Sequence, residues 1–123
     1  NYDFLENWLK SIGAEFDIEL YIKTAKIINH RILKHPMMGK NMLLGQSIFV
    51  PKNENKITLN DLACQFTYSV IPQIESYLGI GNLEDLNIIL NPFIKNKVEI
   101  GEKIVAKDIE NLMRDLSNSK ELS

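Results

Sequence analysis

Little in this chain of 123 residues is equipped for covalent or metal chemistry. The single cysteine, Cys64, has no partner for an internal disulfide. Its place in an apolar helical stretch predicts a buried thiol, as kept in a reducing compartment such as the cytoplasm. The two histidines, His30 and His35, stand five positions apart with no other His or Cys near enough to complete a zinc-ligand spacing. They are expected at the surface, near a helix end whose dipole favours them. No Ser, Cys or Lys has a recognisable base beside it and the carboxylates are scattered, so no catalytic constellation is legible. No apolar run reaches the about 18 residues that span a bilayer, and no charged-then-apolar leader is present, so neither a membrane protein nor a secreted one is expected.

Acidic residues are missing from one long stretch. Between Glu19 and Glu54 there is none, whereas Lys23, Lys26, Arg31, Lys34, Lys40 and Lys52 all fall there. The remaining positions carry eight basic side chains against sixteen acidic ones, and the whole chain has a formal charge of -2. A whole-domain basic field of the kind that drives nonspecific nucleic-acid binding is thereby excluded, but a local electropositive surface is expected. That surface is either a solvated helix face or one that meets phosphates.

What the chain does have is helical periodicity. Leu5, Trp8, Leu9 and Ile12 are spaced as on one helix that stops at Gly13. Asp17 is placed to cap a longer helix whose stripe is Ile18, Ile22, Ala25, Ile28 and Ile32, ended by His35-Pro36. Thr58 and Asp61 have the spacing of a capping box ahead of Leu59, Leu62, Ala63, Phe66, Val70, Ile74 and Leu78, with Pro72 either kinking that helix or restarting it. Asn82 is placed to cap a short helix with Leu83, Leu86 and Leu90, and Asp108 to start a last one with Ile109, Leu112, Met113 and Leu116. Val98 and Ile100 alternate with polar residues, and the tail beyond Ser117 is expected to fray. The expectation is a mainly α fold: a helical bundle forming one domain over residues 1–123. It opens at Asn1 without a methionine and is expected to be the C-terminal part of a longer protein.

Residues 35–56 break the periodicity with Pro36, Gly39, Gly45 and Pro51 and predict an irregular central loop, with a short strand or hairpin at residues 47–50. Gly45-Gln46-Ser47 are expected to turn sharply and offer a backbone amide, a side-chain amide and a hydroxyl to a ligand. The loop lacks a phosphate-binding glycine motif, since Gly39-Lys40 is followed by Asn41 and has no upstream glycine, so the chain hydrolyses no nucleotide by itself.

The run MMGKNMLLGQSIF, residues 37–49, resembles a segment of McrB-type AAA+ nucleotidases. That segment reads leucine-glycine-lysine, a few residues, then isoleucine-glycine-histidine-serine-tyrosine-phenylalanine. VIPQIESYL, residues 70–78, is similar to a second segment of that family through Pro72, Ile74, Glu75 and Tyr77. The resemblance covers residues 1–80 and leaves 81–123 as an extension. It implies an AAA+ helical lid following a nucleotide-binding core, in the ATP- or GTP-driven motor of a modification-dependent restriction system. The implied cofactor is a magnesium nucleotide held in the parent protein, and none in this chain alone. The implied partners are the AAA+ core of the same chain, neighbouring ring subunits, an McrC-like endonuclease subunit and, through the complex, DNA. Lys40, Gly45, Gln46 and Ser47 are the implied nucleotide-side residues. Gln46 replaces the family's histidine, Ile48 its tyrosine and Leu43 a basic residue, so Gly45, Ser47 and Phe49 transfer directly. Other readings of the same residues are a stand-alone DNA-binding module using the helix around Lys23 to Lys34, or an interaction domain with exposed Met37, Met38 and Met42 as its docking surface.

Overall fold

The computed structural model describes residues 2–53, 56–79, 81–94 and 106–118. Each helix begins and ends where its local chemistry requires. α1 (Asp3–Ile12) stops at Gly13, whose φ of 78° is a left-handed conformation that costs glycine little. α2 (Ile18–Lys34) starts where the Asp17 carboxylate accepts the Leu20 N–H at 3.0 Å, and stops at His35 before Pro36. α3 (Leu59–Gln65) carries the reciprocal capping box, with Thr58 and Asp61 each accepting the other's backbone N–H.

α3 does not end at Gln65. It continues through a π turn, Phe66–Val70, into α4 (Ile71–Leu78), and the Ile71 N–H reaches five residues back to the Phe66 carbonyl. Pro72 has no N–H to donate, and in a regular helix its ring would collide with the carbonyl four residues earlier. The outcome is a widened turn inside one helix, a device that relieves such a clash without breaking the run. α5 (Leu83–Leu90) is capped by Asn82, and α6 (Ala106–Ser117) begins two residues before the expected Asp108.

α2 is the hub. It packs against α1, α5 and α6, and α6 in turn lies on α3. Of the expected stripe, Ile22, Ala25, Ile28 and Ile32 are buried and Ile18, in the first turn, only partly so, while Tyr21, Thr24, Ile27 and Asn29 widen it to most of the helix circumference. One apolar cluster runs from Leu5 and Leu9 through Phe49, Phe66 and Ile74 to Ile109, Met113 and Leu116. Its centre is aromatic. Tyr21 meets Phe16, Phe49 and Phe66 edge to face, and Phe66 stacks on Phe93 with ring centroids 4.7 Å apart.

The fold is mainly helical, and there is no strand among the described residues. The extended piece expected at residues 47–50 is instead a 3-10 turn, Gln46–Phe49, preceded by another at Lys40–Met42. Leu83, expected on the inner face of α5, is exposed because the core is reached by Leu86, Ile89 and Leu90. Val98, Ile100 and the tail from residue 119 lie outside the described residues. No helix among the described residues is long and apolar enough to cross a membrane.

Ile28→Ala, at a wholly buried site, should lower stability by about 2–5 kcal/mol in urea denaturation, whereas Leu83→Ala should stay within about 0.5 kcal/mol. Acid should act through the capping box. Burial pushes the Asp61 carboxyl up, but the Thr58 N–H, the Asn53 amide and the Thr58 hydroxyl outweigh it and hold the group below its ordinary 3.8. Its contribution to stability is therefore complete above that value and fades as pH falls through the lower folded one. Asp61→Asn should flatten that part of the pH-stability curve, measured by thermal melts between neutral and acidic buffer.

Candidate functional site

A buried segment without a ladder or a helix needs other partners for its backbone groups. The loop after α2 finds them in side chains. The Asn29 carboxamide, buried in α2, meets the Leu44 peptide from both sides: its Oδ1 accepts the Leu44 N–H at 2.7 Å and its Nδ2 donates to the Leu44 carbonyl at 2.9 Å. A carboxamide offers the same donor and acceptor pair as a peptide group, so Asn29 stands in for a neighbouring strand. Its Nδ2 also donates to the Tyr2 hydroxyl at 2.7 Å.

The following residues are held likewise. Gln65 Nε2 donates to the Ile48 carbonyl at 2.6 Å, and the Tyr21 hydroxyl donates to the carbonyl of Phe49. Burial pushes the Tyr21 phenol far up, so it keeps the proton it donates. Gln46 turns inward: its Oε1 accepts the Leu5 N–H at 2.8 Å. Tyr2, at the cap position of α1, supplies no side-chain bond of its own. Gln46 thus does for α1, from the far end of α2, what an N-cap side chain ordinarily does.

The four residues expected on the ligand side separate accordingly. Lys40, Gly45 and Ser47 are exposed, while Gln46 is half-buried with its carboxamide oxygen committed to α1. The turn expected at Gly45-Gln46-Ser47 is present, since the Ile48 N–H donates to the Gly45 carbonyl at 3.2 Å, but Gly45 itself is unstrained. Its φ of -72° and ψ of 163° are extended and open to any residue, and the turn lies just behind it. A Cβ added there would meet nothing within 4 Å.

Other expectations are corrected around this loop. His35 is buried, with 6% of its surface exposed, because it plugs the junction of α2 and α5. Its Nδ1 accepts the Met37 N–H at 3.1 Å, which leaves Nε2–H to donate to Asp85 at 2.9 Å. The Asn82 carboxamide, followed by His35, holds the Asp85 carboxyl below the usual range. Arg31 is turned from solvent: its Nη1 donates to the carbonyls of Ile89 and Asn91 and caps the end of α5. Cys64 is half-buried rather than buried, in a small hollow with Asp61 and Tyr68. Of the three methionines read as a docking surface, Met37 is exposed, but Met38 and Met42 pack on the core. No group of three His, Cys, Asp or Glu able to hold a metal ion occurs among the described residues.

Sequence reasoning passed over Asn29 and Gln65. The available signal was a carboxamide inside an otherwise apolar stripe, next to Ile28 in α2 and Phe66 after α3. Comparison with protein-family models, with curated proteins and with solved structures finds no match for this chain.

Asn29→Ala should cost about 1–3 kcal/mol for each Leu44 backbone group left buried and unpaired, and Gln46→Leu about 1 kcal/mol as a lost cap. Lys40→Ala and Ser47→Ala should remain within about 0.5 kcal/mol. Urea denaturation of the four variants checks the division between inward and outward residues.

Proposed function

We propose that this chain is the helical lid of an McrB-type AAA+ nucleotidase and works in the cytoplasm in a restriction or phage-defence system. The observation that carries the reading is the two-sided build of residues 44–49. Leu44, Gln46, Ile48 and Phe49 are fastened to α1, α2 and α3, whereas Gly45 and Ser47, which match the family pattern unchanged, face outward. Nothing among the described residues requires glycine at position 45, where the backbone is relaxed and the space open. A backbone that approaches from outside does require it.

The chemistry of the outward residues suits a phosphate or ribose oxygen at the border of the lid. Lys40 brings a cation, Ser47 a hydroxyl and Gly45 an unshielded backbone. The stretch from residue 20 to 53 has no carboxylate to hold magnesium, so the ion and the hydrolytic groups belong to the core. The bound nucleotide supplies the phosphoanhydride whose cleavage drives the motor. This chain contributes shape, and its bundle moves as one body when contacts at the loop differ between nucleotide states. Neighbouring ring subunits, an McrC-like endonuclease and DNA are the partners of the assembled complex.

The test is Gly45→Val combined with Ser47→Ala in the full-length nucleotidase. A lid that meets its core through this loop should lose about 10–100-fold in nucleotide turnover, with weakened ring assembly, while the melt of the lid itself is unchanged. Turnover and assembly equal to those of the parent would refute the reading.

A further inference from the structure

Among the described residues, α2 keeps one face open to solvent. Lys23, Lys26, His30, Leu33 and Lys34 lie on it, since spacings of three and four bring residues to one side of a helix. Two hollows flank this face and meet at His30. One, of about 470 Å³, is walled by Tyr2, Leu33 and Leu43; the other, of about 660 Å³, by Lys34, Pro36 and Ile88. Leu33, Leu43 and Ile88 are large apolar side chains left 47%, 38% and 55% exposed, so the walls are wet in the isolated chain.

Charge decides what fits. Asp85 is engaged with His35, Glu6 with Lys10 and Asp3 with a partner of its own, while Glu19, one turn before Lys23, is the one carboxylate that α2 itself sets on the face beside its three lysines. Lys23, Lys34 and Lys40 have no ion-pair partner among the described residues. The occupant must therefore bring carboxylates or phosphates. Two features favour carboxylates on a protein. Leu33, Leu43 and Ile88 give a phosphate backbone nothing to pack against, and each hollow already holds a carboxylate, Asp3 in one and Asp85 in the other, which a dense run of phosphates would meet at close range.

We propose that this face of α2 docks an acidic amphipathic helix of a partner protein. Apolar side chains of that helix enter the hollows on either side of His30, and its carboxylates meet Lys23, Lys26 and Lys34. The mode is helix-in-groove recognition, with anchors in the hollows and a charged rim. Leu43 belongs to the same loop as Gly45, but Lys23, Lys26, Leu33 and Lys34 lie on α2, and the proposal does not rest on the lid reading.

A fluorescein-labelled peptide of about 20 residues, long enough to be helical, carries leucines at i, i+3, i+4 and i+7 with glutamates along both borders. Titrated with the intact chain at about 0.15 M salt, it should bind with a Kd of about 10–100 μM by fluorescence anisotropy. A scrambled peptide of the same composition should bind at least about tenfold more weakly, as should the designed peptide to Leu33→Asp or to Lys26→Glu with Lys34→Glu. Leu43→Ser serves as a second apolar probe, and thermal melts matching the parent's show that the variants are folded. Absent saturation, or affinities indifferent to peptide order and to the substitutions, would overturn the proposal. So would a duplex DNA that binds more tightly than the peptide, with affinity falling steeply as salt rises.

Discussion

A loop that dips into the core at Leu44 and Phe49 must still satisfy its N–H and C=O groups, and side chains of α2 and α3 are placed to do so for residues 44–49. No strand is available among the described residues, so the task falls to side chains carried on helices: Asn29 and Tyr21 from α2, and Gln65 from the end of α3. Those side chains fix the distance and rotation of α2 relative to α3, because each must reach a particular carbonyl or N–H within hydrogen-bond range. Apolar burial of Ile28, Phe49 and Phe66 supplies the driving force, at about 1.5–3 kcal/mol for each fully buried side chain. The polar clamps select one packing from the several that burial alone would permit.

This constraint explains features that look unrelated. α1 lacks a capping side chain of its own, and it is completed by Gln46 once the loop is in place. The π turn begins at Phe66, directly after the residue whose amide holds Ile48. Lys40, Gly45 and Ser47 are left facing out because the residues between and after them are drawn in. An outward-facing loop residue is ordinarily mobile, but here its neighbours are tied to three helices, which gives the exposed edge the rigidity of a helical surface.

Much of the skeleton was legible from periodicity and caps. Asp17, Thr58 with Asp61, and Asn82 each cap the helix their position foretells, because a cap is a local event between residues two to three apart. What escaped was long-range. Gln46 meets Leu5 across 41 positions, His35 meets Asp85 across 50, and Arg31 meets Asn91 across 60. Nothing local marks such pairs, so His35 read as a surface residue and Arg31 as part of a solvated run. The turn expected at Gly45-Gln46-Ser47 is present, closed by the Ile48 N–H on the Gly45 carbonyl, and it needs no left-handed backbone at the glycine. Of the four residues singled out in the loop, Lys40, Gly45 and Ser47 are exposed, and Gln46 commits its carboxamide oxygen to Leu5, which no local pattern announces.

Alternation along the loop has a mechanical consequence. Gly45 and Ser47 point outward, while Gln46 between them is tied to the start of α1 and Ile48 beyond them to the end of α3. A force applied at the outer edge is divided between α1, which rests on α2, and α3, which rests on α6, and close-packed interiors of this kind shift as units more readily than they deform. The π turn is where the long α3–α4 helix departs from regular bonding, and it sits beside Gln65, where the load from Ile48 arrives.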